Sequence, residues 1–87
     1  MNTIHMTTQD WAQYLQTYTP TNEQEAQTYA NDLKAYATDN MGCIFVEAVL
    51  RRPELNGWAV LDKLYKRVKE DLAAYQQAIR EGFFFQQ

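Results

Sequence analysis

Apolar residues recur every three or four positions through most of this 87-residue chain. That is the spacing of one helix face, not the alternation of a strand. Trp11, Tyr14, Leu15 and Tyr18 fall at i, i+3, i+4 and i+7 and predict a first helix. Thr7 stands three residues before Asp10, a weak form of the box that satisfies free backbone N–H groups. Pro20 stops this helix, because the residue before a proline avoids helical geometry.

A second helix is predicted from Thr21 or Asn22, with Thr21 and Gln24 at capping-box spacing. Glu23 and Glu25 in its first turn suit the positive end of the helix dipole. Ala26, Tyr29, Ala30, Leu33, Tyr36 and Ala37 form a narrow face whose small residues admit a close neighbour. Asp39, Asn40 and Gly42 read as the end of this helix.

The stretch "CIFVEAVLRR", residues 43–52, is apolar almost throughout, and Ile44, Phe45 and Val46 suit a strand as well as a helix. A lone strand leaves its backbone groups without partners. The stretch therefore reads as a short buried helix ending before Pro53, with Glu47 as its one interior charge.

From Asn56, a plausible N-cap, Trp58, Leu61, Tyr65, Val68, Leu72, Tyr75 and Ile79 recur in steps of three and four. This is a heptad seam. Gly82 follows as a C-terminal cap. Asp62–Lys66, Lys66–Glu70 and Arg67–Asp71 stand at i, i+4 on the outer side. Such a helix is about 36 Å long, more than so small a chain covers, and this predicts a homodimer through it. The fold class expected is all-α: one domain over residues 1–87, a small bundle of about four helices with a long C-terminal helix.

Composition narrows the picture. Apolar residues make up 46% of the chain, enough for a core and too many for disorder. Residues 1–40 carry five acids against Lys34, a balance of −4, and residues 41–87 carry six acids against seven bases, +1. The total of −3 argues against a general nucleic-acid binder, which needs a basic face. A single cysteine, Cys43, excludes an internal disulfide framework. No apolar run approaches the length of a membrane span, and the N-terminus lacks the order of a signal peptide. A cytoplasmic protein is expected.

The chemistry available is sparse. Serine is absent, so a serine nucleophile is excluded. A Cys–His pair requires Cys43 with His5, and the simpler reading makes Cys43 a core residue and His5 a solvated one. One His and one Cys do not make a metal site. Asp39, Asn40 and Glu47 lack the surroundings of a phosphate or calcium loop. No enzyme activity and no cofactor are expected.

Surfaces remain. Arg51, Arg52, Lys63, Lys66, Arg67 and Lys69 form a basic group, with Glu54, Asp62, Glu70 and Asp71 interleaved. Its plain reading is an ion-paired solvated face. The sharper one is a helix-turn-helix of residues 43–52 and 57 onward. Aromatic seams, Tyr65 and Tyr75 among them, exceed what a chain of this length easily buries. Phe83, Phe84 and Phe85 either fold back over the bundle end, the favoured reading, or form a patch for a partner. The leading expectation is a small non-enzymatic inhibitor or regulator that binds another protein through Tyr65, Tyr75, Phe83, Phe84, Phe85, Arg51, Arg52, Lys66 and Arg67. In size and style it is similar to the accessory proteins of phages and mobile elements, anti-CRISPR proteins among them. The alternatives are a helix-turn-helix DNA-binding regulator using Arg51, Arg52, Lys63, Lys66 and Arg67, and a self-assembling helical subunit.

Overall fold

The computed structural model describes residues 8–82; His5, Thr7 and Phe83–Phe85 lie outside the described residues. Four α-helices account for most of it: α1 (Thr8–Thr17), α2 (Glu23–Tyr36), α3 (Asn40–Leu50) and α4 (Ala59–Arg80). A 3-10 turn, Pro53–Leu55, links the last two. The described residues contain no strand. The all-α bundle with a long C-terminal helix is the fold observed.

The helix starts differ in detail from the pattern. Asn22, not Thr21, caps α2: its side chain accepts from the Glu25 N–H at 2.8 Å. The Glu25 carboxylate in turn accepts from the Thr21 N–H and hydroxyl at 2.8 and 2.9 Å. The box is thus Asn22–Glu25, one residue beyond Thr21–Gln24, with the Glu25 carboxylate as the acceptor for both Thr21 donors. Asp39 does not close α2; it opens α3, accepting from the Gly42 N–H at 2.7 Å. Gly42 lies inside the first turn of α3, where a Cβ would stand 2.2 Å from the Tyr36 carbonyl oxygen. Only glycine lets α3 start so close to the end of α2.

Asn56 does not cap α4 either. Its N–H closes the 3-10 turn on the Pro53 carbonyl at 3.1 Å, and Trp58 occupies the N-cap position without a side-chain bond. The Trp58 ring packs against the core instead. At the other end Gly82 takes the left-handed conformation, φ +76°, and its N–H bonds the Ile79 carbonyl at 2.9 Å. This is the glycine stop the sequence predicts.

The core lies where α2, α3 and α4 meet. Leu33 from α2, Cys43, Val46, Val49 and Leu50 from α3, and Leu61, Leu64 and Val68 from α4 are all buried. Leu64 is not part of the heptad series, whereas Tyr65, which is, stays half-exposed. A straight α-helix drifts from a seven-residue repeat, and the neighbours of α4 lie on the Leu64 side. Further along, Leu72 and Tyr75 are half-buried and Ile79 is 39% exposed. Burial along α4 fades from its first turns to its last.

The molecule measures 46 × 31 × 16 Å. A thickness of 16 Å holds about two layers of helices at ordinary interaxial distances. In a two-layer body every helix has one side that no other helix covers. What each helix places on that side decides what the surface can do.

Candidate functional site

α1 lies on α2 through rings. Tyr14, Tyr18 and Tyr29 have ring centroids 5.1–6.2 Å apart, and Trp11 meets Tyr14 edge-on at 5.5 Å. Two of the polar tips have partners inside the fold. Tyr29, fully buried, donates to the Leu15 carbonyl, and Tyr14 donates to Asp32 at 2.9 Å. Burial, reinforced by the Asp32 carboxylate, pushes the Tyr14 phenol above its ordinary range. Burial raises Tyr18 in the same way, with Glu25 adding to it. Thr21 holds the Glu25 carboxyl below the usual range. These tyrosines are occupied inside the fold.

Arg52 is occupied too. Its guanidinium reaches from the end of α3 to the α1–α2 connection, donating to the Tyr18 carbonyl at 2.8 Å and to the Thr19 hydroxyl at 3.3 Å. Its third nitrogen faces Glu54 at 3.8 Å. Arg51, the neighbouring base, pairs with Glu47 at 3.1 Å within its own helix. α3 and α4 are joined by Arg51–Trp58, which contains the 3-10 turn. A helix-turn-helix uses a turn of three or four residues. The two arginines at the end of α3 are therefore held by the fold's own groups.

The remaining cations collect elsewhere. Lys63, Lys66 and Arg67 of α4 line one groove with Lys34 of α2, a residue the sequence-based basic group does not contain. Of the three i, i+4 pairs expected on α4, Arg67–Asp71 closes, at 3.8 Å; among the described residues the other two do not. Lys69 lies over the Tyr65 ring, 5.0 Å from its centroid. Tyr75 leans on the core edge further along α4.

Cys43 is buried, its thiol directed at the Ala37 carbonyl 3.7 Å away. Burial raises its pKa, and the Asp71 and Asp39 carboxylates add to the rise. A thiol so placed is a poor nucleophile. Among the described residues no three His, Cys, Asp or Glu side chains are grouped to hold a metal ion. No described helix is long and apolar enough to cross a membrane.

The surface that stands out is the outer side of α3. That helix is expected from the sequence to be buried; the structure buries one side of it. Met41 is 72% exposed and Ile44 47%, and Ala48 is exposed with them at i, i+3 and i+7. Phe45 flanks this stripe, stacked on Tyr36 at 4.8 Å between ring centroids. Phe45 also lines two shallow depressions, one with Tyr36, Met41 and Gly42, the other with Ala48, Val49 and Arg52. The apolar strip thus runs the length of α3 and ends at a charged rim of Arg52 and Glu54. Its signal was present in the sequence. A helix apolar on nearly every side needs cover on nearly every side, and among the described residues Met41, Ile44 and Ala48 have little.

No protein-family model matches the chain, and no curated protein or solved structure shows significant similarity to it.

Proposed function

We propose that this chain is a non-enzymatic protein-binding module, an inhibitor or regulator of a larger protein, which docks through the outer side of α3. One observation carries the reading. Met41 and Ile44 stand 72% and 47% exposed in a single stripe on a helix whose other side is core. Apolar side chains aligned in this way contribute little to folding, invite aggregation, and mark contact surfaces. Methionine at the start of such a stripe adapts to irregular partners. The Cys43 thiol is buried, and the Tyr14 and Tyr29 hydroxyls are bonded within the fold. A reducing, cytoplasmic setting suits the lone Cys43.

The test places a photo-cross-linking residue at Ala48 and, in a second variant, at Gln27 on the exposed side of α2. Cross-linking at Ala48 should yield one defined protein adduct, absent at Gln27 and competed away by the parent chain. Ile44→Asp should fail as competitor. Equal adducts from both positions, or full competition by Ile44→Asp, remove the α3 surface from consideration.

A further inference from the structure

A second surface is independent of α3. The groove between α2 and α4 has an apolar floor of Ala30, Val60 and Leu64 and a rim of Lys34, Lys63, Lys66 and Arg67. None of its residues lines the depressions beside Phe45. Lysine and arginine number eight in the whole chain, so half of its cations stand around this one groove. Glu70 is the one acid in the lining. Lys34, Lys63 and Lys66 form no ion pair among the described residues, and the Arg67–Asp71 pair is solvent-exposed at 3.8 Å. In a chain of net charge −3 this is a local excess of positive charge that Glu70 and Asp71 offset only in part.

We propose that this groove binds an acidic amphipathic segment of another protein. Apolar side chains of that segment would sit on half-buried Val60 and on the small exposed edges of Ala30 and Leu64, while its carboxylates meet the four cations. The floor decides between polyanions. A nucleic-acid backbone presents phosphates and sugars, which gain nothing from an apolar floor. It also extends beyond the groove, over a chain whose residues 1–40 carry −4. An acidic helix is short, carries apolar groups on one side, and matches both features at once.

The probe is a labelled synthetic peptide of about 14 residues, four helical turns, with Leu at i, i+3, i+4, i+7 spacing and Glu on its flanks. Two controls accompany it: the same peptide with Gln for Glu, and a double-stranded DNA of similar length. Fluorescence anisotropy is read for the parent chain, for the double variant Lys63→Glu/Lys66→Glu, and for Arg80→Glu outside the groove. All three substituted positions are exposed, so melting should be unchanged. The Glu peptide should bind the parent at least about tenfold more tightly than the Gln peptide. Binding should weaken between about 50 and 200 mM salt. The double variant should lose it, and Arg80→Glu should keep it. Equal binding of the two peptides, or binding that survives the double reversal, overturns the proposal. So does DNA bound more tightly than the Glu peptide and released by the same reversal, which makes the groove a phosphate surface. None of these outcomes depends on the α3 stripe, whose own cross-linking test stands or falls separately.

Discussion

α3 and α4 bury their inner sides in the same core, yet their outer sides are unlike. Outward from α4 stand Asp62, Lys63, Lys66, Arg67, Lys69 and Glu70, all exposed and all charged. Outward from α3 stand Met41, Ile44 and Ala48, with the Glu47–Arg51 pair along one flank. The inner sides do the same physical work, removing apolar area from water. The outer sides do not. A charged exterior is what a helix needs to remain on a surface. The outer side of α3 lacks it, and folding does not account for that choice.

The largest effect should come from the inner sides, where the two helices are alike. Leu61 is 2% exposed and meets the α3 residues of the core. Leu61→Ala should cost about 2–5 kcal/mol, a large share of what so small a domain possesses. The same change at Leu72, half-buried in the fading part of the α4 seam, should cost less, about 1–2 kcal/mol. Urea denaturation of both variants checks the difference. Equal losses mean that the seam stays covered further along α4 than the structure places it.

Next in size is the tie at the end of α3. Arg52→Ala removes two hydrogen bonds to Tyr18 and Thr19 and uncovers a part-buried carbonyl. A loss of about 1–3 kcal/mol is expected, with α1 loosening from α2 ahead of the rest in hydrogen exchange. Lys substituted there should not rescue it, since one ammonium cannot span both oxygens. If Arg52→Ala leaves stability unchanged, Arg52 is a surface cation after all and returns to the list of partner-binding candidates.

Tyr14 gives a pH signature on the α1 side. Its phenol is raised in the folded state, first by burial and then by the bond to Asp32. A group raised on folding contributes stability that is fully present below its unfolded value. That contribution is lost as pH climbs from there through the folded value, so it should decline above about pH 10. Tyr14→Phe should cost about 1 kcal/mol at neutral pH and make the alkaline decline shallower. Parallel alkaline profiles for the two proteins exclude Tyr14 as the titrating group.

How much of this was legible in the sequence follows the same division. The count of helices, the proline stops, the Gly82 stop and the helical state of residues 43–50 follow from periodicity and from the impossibility of a lone strand, whereas Gly42, read as the end of α2, lies inside α3. The caps shift by a residue or two because Glu25 and Asp39 have competing local partners that spacing does not rank. Leu64 escapes a heptad reading because the helix drifts relative to the repeat. Arg52 reads as a surface base because its partners lie more than thirty residues away in sequence. The outer side of α3 is the instructive miss. Periodicity tells which residues can share a side; only the number of layers tells whether anything lies against it.

Two outer-side changes complete the comparison, and both should leave stability nearly untouched. Ile44→Ser exchanges an exposed apolar group for a polar one and should shift folding by no more than about 0.5 kcal/mol. It should nevertheless abolish the cross-link from Ala48. On α4, Arg67→Ala breaks the exposed pair with Asp71, 73% and 44% accessible at 3.8 Å. Solvent screens such a pair, so the change should be smaller still, at or below about 0.3 kcal/mol, while anisotropy of the Glu peptide should report weaker binding at the α2–α4 groove. The two variants thus look alike in a melting curve and differ in which binding they remove. If each instead removes both, one partner spans the two surfaces. A loss of stability beyond about 1 kcal/mol in Ile44→Ser would mean that its side chain is already covered, and the contrast between the helices would vanish.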